Sequence, residues 1–198
     1  MQRLIVSVAA LAGLLSAASA QASTWEIDPA HTSAQFAVRH LMVSTVRGTM
    51  GKVTGVANIN EQDITKSSVE ATVDVTGLNT GEPKRDEHLK GPDFFEVAKY
   101  PKITFKSKKV ERVSDTKYTV TGDLTIKGTT KEVVLAVEGS PKPINDPFGN
   151  VKVGGIAKTK INRQDFGIVW GKALDTGGVV VGDDVEITID IELTQKKS

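Results

Sequence analysis

An all-β chain, folded as an antiparallel barrel with a short capping helix and loop, is what this sequence predicts, and three observations carry the prediction. Beyond residue 23 no window repeats its apolar residues at helical spacing, whereas alternation with period two recurs along the chain. Turn residues interrupt these runs at intervals too short for crossover helices, which leaves antiparallel neighbours. Glycines inside strand patterns, Gly48, Gly51, Gly55 and Gly154-Gly155, are where a sheet can bulge or bend enough to close on itself.

The first element is an address. Met1 to Ala22 places Arg3 ahead of an apolar run from Leu4 to Leu15 and then small residues, the pattern of a secretory signal peptide. The run falls short of the roughly 20 residues that span a bilayer, so the segment reads as cleaved rather than anchoring. Of two Ala-x-Ala sites, ending at Ala20 and Ala22, the second is favoured, with cleavage after Ala22 and one domain over 23–198. No later run is apolar and long enough to cross a membrane.

The strands follow in order at Thr24–Asp28, Ser33–His40, Thr45–Ile59, Ser68–Val75, Lys102–Val113, Tyr118–Ile126, Lys131–Glu138, Asn150–Ile161 and Asp184–Thr194. The last alternates most cleanly: Val185, Ile187, Ile189, Ile191 and Leu193 take one face, and Glu186, Thr188, Asp190, Glu192 and Thr194 the other. Such a strand is wet on one side and apolar on the other. One stretch breaks the alternation. Asn79–Tyr100 is rich in charge and turn residues, and a short helix fits it: Pro83 suits a first helical position, Asp86 and Glu87 fall early, Lys90 falls late and Gly91-Pro92 ends it. Phe94 and Phe95 would then pack back on the barrel rim. The glycine-rich tract Asp175–Gly182 reads as a flexible or bulged connection, and Asp183-Asp184 as a solvated turn.

Composition narrows the function. With 25 basic and 24 acidic side chains the formal net charge is +1, and loss of Arg3 with the leader balances it; no field favours nucleic acid. Zero cysteines exclude disulfides, thiolate metal sites and cysteine nucleophiles. The three histidines, His31, His40 and His88, form no metal-ligand spacing, and no Gly-x-Ser-x-Gly motif or phosphate loop is present. No catalytic residue, metal site or cofactor is therefore assigned. The run Lys106–Arg112 reads as a solvated outer strand face. Aromatics are only 5% of the chain, which leaves little bulk to plug a wide barrel. Phe36, Val38 and His40 share one strand face, as do Ile103 and Phe105, and Phe166, Ile168 and Trp170 alternate inward. These residues are either simple core or the wall of a cavity. Arg85, Asp86, His88 and Lys90 stand on the irregular segment, either as a solvated capping helix or where a barrel would position the polar head of an amphiphile.

Four ordered segments carry a resemblance: Trp25–Gly55, Arg85–Ser107, Val120–Leu135 and Arg163–Ile168 together resemble the YceI-like family of secreted bacterial proteins. The resemblance implies a lipocalin-like, extended antiparallel eight-stranded β-barrel whose apolar tunnel takes a polyisoprenoid, such as a prenyl diphosphate or a quinone tail. By position, the family's Asp-x-x-His start falls on Asp28 and His31, its Phe-x-Val-x-His strand on Phe36, Val38 and His40, and its Arg-Asp-x-His-Leu cap on Arg85, Asp86, His88 and Leu89. Where family members often carry aromatics after Arg47-Gly48, this chain has Met50 and Val53. The expected tunnel wall is Phe36, Val38, His40, Phe94, Phe95, Ile103, Phe105, Phe166, Ile168 and Trp170, with Arg85, His88 and Arg163 at the head group. The expectation is thus a periplasmic carrier or store for an isoprenoid lipid, without nucleic-acid partners and with an edge strand through which a homodimer would pair. Two alternatives stand beside it. One is a lipid-modifying enzyme using a rim histidine; the other is a stress protein with a filled barrel that acts through its surface.

Overall fold

The computed structural model describes residues 22–139, 142–175 and 177–197; all of the expected leader except Ala22 lies outside the described residues. Eleven strands follow in chain order: β1 Ser23–Ile27, β2 Ser33–His40, β3 Ser44–Thr49, β4 Lys52–Ile59, β5 Ser68–Asp74, β6 Lys102–Arg112, β7 Lys117–Ile126, β8 Thr129–Gly139, β9 Ile144–Asn145, β10 Val151–Asn162 and β11 Val181–Gln195. All paired strands are antiparallel, and β10 pairing with β11 joins β1, β4, β5, β6, β7, β8, β10 and β11 into a closed eight-stranded ring. β2 runs beside the first part of β11, and β3 beside β2, so this hairpin lengthens the barrel at one end.

Two kinks produce that elongation. β1 and β2 lie on the same edge of β11 and are separated by a turn at 28–32, where the Thr32 hydroxyl both donates to the Glu192 carbonyl and accepts from the Glu192 amide. A buried side chain thus satisfies backbone groups that the broken ladder leaves open. The strand expected to run unbroken over Thr45–Ile59 is in fact two, β3 and β4, because Gly51 adopts φ +121°. A Cβ there would fall 2.0 Å from the Asp74 carbonyl oxygen, so only glycine allows this close crossing.

The helix α1, Pro83–Lys90, has Pro83 in its first turn and Gly91 as its C-cap, and Glu82 accepts from the Lys84 amide as N-cap. It buries no residue fully. Polar contacts hold it instead: Asp86 accepts from the amide and hydroxyl of Thr80, and Arg85 donates back to the hydroxyl and carbonyl of Thr80. Phe94 is buried and Phe95 half-buried against the core. Asp183 and Asp184, expected in a solvated turn, lie inside β11, where they pair with Arg163 and Lys160. The bulge lies within β11 rather than in the connection before it: the register with β2 shifts between Val181 and Val185. The Lys106–Arg112 run carries outward ion pairs, Lys106 with Glu70 and Lys108 with Asp123 and Glu132.

Candidate functional site: a two-chambered apolar tunnel

The barrel is hollow. Inward residues of all eight ring strands enclose one chamber of about 530 Å³, and the β2–β3 hairpin, α1, the segment 161–170 and the start of β11 enclose a second of about 430 Å³. Met50 and Ile126 line both, so these two side chains stand where the chambers adjoin. Met50, at the kink between β3 and β4, is 5% exposed. The absent aromatic is therefore replaced by a flexible thioether between the two chambers.

Ile103 and Phe105 line the first chamber, with Trp25, Ile27, Val53 and the inward face of β11. Phe36, Val38, His40, Phe94, Phe95, Phe166, Ile168 and Trp170 all line the second, as do Arg85, His88 and Arg163. Phe166 sits on a 3₁₀ turn, Arg163–Phe166, closed by Gly167 in the left-handed region, rather than on a strand. Met50 stood in the sequence only as a departure from the family's aromatics, and Trp25, Val120 and Ile126 were not singled out there. The period-two run Tyr118–Ile126 holds a signal for the last two, since its apolar face has no reason to be continuous unless it is enclosed.

Several charged groups stand around the second chamber. The second chamber opens among Arg39, Glu82, Lys84, Arg85 and His88. His88 Nε2 lies 3.0 Å from Asp93 Oδ2, and its ring meets Phe94 and Trp170 edge-on with centroids 5.0 Å apart in each case. Phe94 and Trp170 lie 5.3 Å apart, and the three rings form one wall of the mouth. Arg85 donates Nε and Nη2 to Thr80, while its Nη1 has no hydrogen bond to any described residue. Arg163 differs. Its Nε donates to the Gly182 carbonyl, Nη1 to those of Ile168 and Trp170, and Nη2 to that of Val181 and to Asp183 Oδ1. All five N–H groups of the fork are engaged within the chain, so a ligand head would have to displace a bond that ties β11 to 168–170.

A second polar cluster lies on the outer face at the β1–β2 kink. Lys152 Nζ is 2.7 Å from Asp28 Oδ2 and 2.8 Å from Glu192 Oε1, and His31 Nδ1 is 3.0 Å from Asp28. The bond from Lys152, then that from His31, holds the Asp28 carboxyl well below the usual carboxylate range. Asp28 in turn raises His31, and Asp28 and Glu192 raise Lys152. Asp28, His31 and Glu192 lie close enough to share a cation, but the Lys152 ammonium already bridges the two carboxylates.

Comparison with known proteins places this geometry. A sequence profile of the YceI-like domain matches residues 25–193. A UPF0312 protein of Staphylococcus aureus strain N315 is 37% identical over 172 residues, covering 87% of this chain and 98% of that one. Among solved structures, BcnA of Burkholderia cenocepacia superposes with a TM-score of 0.70 at 25% identity over 84% of this chain and 98% of its own. The Campylobacter jejuni YCEI protein gives 0.68 at 31% identity, over 80% and 90%. A polyisoprenoid binding domain from Saccharophagus degradans gives 0.63 at 13% identity, over 88% and 99%, a likeness of fold. No helix among the described residues is long and apolar enough to cross a membrane.

Proposed function

This chain belongs to the YceI-like domain family, and from that premise we propose that it is a secreted periplasmic protein that holds a long isoprenoid lipid in its barrel for storage or transport. The observation that carries the reading is the pair of apolar chambers that adjoin at Met50 and Ile126; with these two side chains as a waist, one linear tail would run through both. Each buried CH₂ contributes about 0.8 kcal/mol, so a five-carbon repeat supplies roughly 3–4 kcal/mol before ordering terms are subtracted. The tail needs no polar recognition. The head group would be met at the mouth of the second chamber by Arg85, whose Nη1 points to no described partner, and by His88, with Arg163 holding the backbone behind them. A diphosphate would use the arginine fork and a quinone only neutral donors. The polyisoprenoid binding domain of Saccharophagus degradans, which shares the fold, supports lipid binding in place of catalysis.

The test is native mass spectrometry on protein expressed from the full sequence and purified without detergent, followed by lipid extraction. The expected result is a chain beginning at Ser23 with excess mass matching a polyprenyl compound. A bare chain that also binds neither added prenyl diphosphates nor long-tailed quinones at micromolar concentration would refute the reading.

A further inference from the structure

At the open end of the second chamber stands an unusual turn. β2 and β3 are joined by a three-residue loop, Leu41–Val43, whose turn is closed by the Val43 amide on the His40 carbonyl, with Leu41 at φ 51° and Met42 at φ 60°. Two successive left-handed residues define the turn type that ordinarily takes Asn-Gly, because side chains with a Cβ are strained there. This chain places two large apolar residues in it and follows them with a third. Leu41 is 38% exposed, Met42 51% and Val43 78%. Met42 lies against Gly178, but that contact does not account for three successive apolar side chains, since a polar turn would be both less strained and better hydrated.

The tip is built onto the tunnel mouth. Val38 and His40, just before it, line the second chamber, and so does Val180, whose carbonyl accepts from the Leu41 amide. Arg39 also lines the rim and clamps the turn, donating Nη2 to the Met42 carbonyl and Nη1 to Thr45. Lys84 stands on the same rim, with Glu82 as the acidic neighbour. Lys172 lies one backbone hydrogen bond beyond Val180, and Val169, 67% exposed, is on the same segment.

We propose that the Leu41-Met42-Val43 tip is a membrane-docking device that inserts into a bilayer surface and sets the mouth of the second chamber against the lipid phase. Three side chains on one hairpin present far less than the roughly 800 Å² per partner of a stable protein interface, whereas a small apolar tip beside cationic side chains is enough for reversible contact with a bilayer that holds anionic lipid. The inference rests on the lipid-binding reading, because a tail leaving a bilayer must enter through an opening that faces it.

The experiment replaces the tip with the residues its backbone prefers, Leu41→Asn with Met42→Gly. Neither side chain lines either chamber, and the exchange relieves strain, so loss of folding does not confound it. Protein expressed from the full sequence is floated with vesicles of phosphatidylethanolamine containing a minor fraction of phosphatidylglycerol, and uptake of geranylgeranyl diphosphate is measured separately in vesicle-free buffer. The wild type is expected to float and the variant to float at least about tenfold less, with an unfolding temperature no lower and unchanged uptake. A wild type that stays below the vesicles, or a variant that floats equally well, overturns the proposal. So does a variant that loses uptake in vesicle-free buffer, since the tip would then be part of the chamber. A wild type that floats through the tip but takes up no isoprenoid keeps the docking device and sinks the carrier reading instead.

Discussion

Replacing Arg163 with methionine separates a structural arginine from a head-group ligand. The side chain is 6% exposed and donates to four backbone carbonyls and to Asp183. Hydrogen bonds from a charged donor are worth about 1.5–3 kcal/mol each, but these share one guanidinium and are not additive. Ile168 is buried, while Asp183 is 42% exposed and regains water when its partner goes. The loss therefore falls at about 3–5 kcal/mol, the range for removing one partner of a buried charged network. For a domain whose denaturant slope is about 2 kcal/mol per molar urea, the midpoint drops by roughly 2 M. Urea unfolding followed by the fluorescence of Trp25 and Trp170 reads it directly. Arg163→Lys is expected to recover only part of the loss, because three ammonium donors cannot span the carbonyls that the planar fork reaches. Asp183→Asn is expected to cost less than about 1 kcal/mol. A methionine variant that unfolds within about 0.5 M of the wild type while losing isoprenoid affinity would show that the guanidinium serves the ligand.

Met50→Trp narrows the waist. At about 0.3 kcal/mol per ligand atom, each isoprene unit held beyond it is worth about 1.5 kcal/mol, or slightly more than tenfold; native mass spectrometry should show long ligands weakened by that step per unit and short ones unaffected, and equal losses would count against a continuous tunnel. Gly51→Ala drives a Cβ to within 2.0 Å of the Asp74 carbonyl at φ +121°, which costs about 2–4 kcal/mol and lowers the melting temperature by roughly 4–16 °C; an unchanged melting curve would mean that the kink relaxes freely. The Asp28 cluster sets opposite pH limits. Asp28 is depressed in the folded state, so its contribution is complete above the unfolded value of about 3.9 and is lost as pH falls toward the folded one. His31 is raised, so its contribution is complete below about 6.5 and is lost as pH rises through the folded value. Asp28→Asn should flatten the acid limb of a stability–pH profile and weaken the dependence above neutrality; a variant with the wild-type profile would remove the cluster from the account.

The all-β class, the antiparallel order and the helix with its ends were legible in the chain itself, because each rests on local periodicity or local turn chemistry. Pro83 and Gly91 bound α1, and the alternation of Val185, Ile187, Ile189, Ile191 and Leu193 marks the inner face of β11, the first on the second chamber and the rest on the first. Alternation also supplied most of the candidate wall residues, and the four-segment resemblance added the expectation of a tunnel for them to line. What remained hidden depends on approaches between residues far apart in sequence. The break at Gly51 exists because the Asp74 carbonyl crosses it, and alternation through Met50 conceals the event. Asp183 and Asp184 look like a turn until Arg163 and Lys160 are placed opposite them. Lys152 and Glu192, remote from Asp28 and from each other along the chain, meet only because β10 and β11 close the ring beside the β1–β2 kink. Arg163 reads as a free cation in sequence and as a fully engaged one in the fold, since its partners are carbonyls, which every residue carries and no sequence pattern reports. Local pattern determined which residues face inward, and only the closure of the barrel decided whether the space they face is filled or hollow, because packing density depends on how all the strands meet at once.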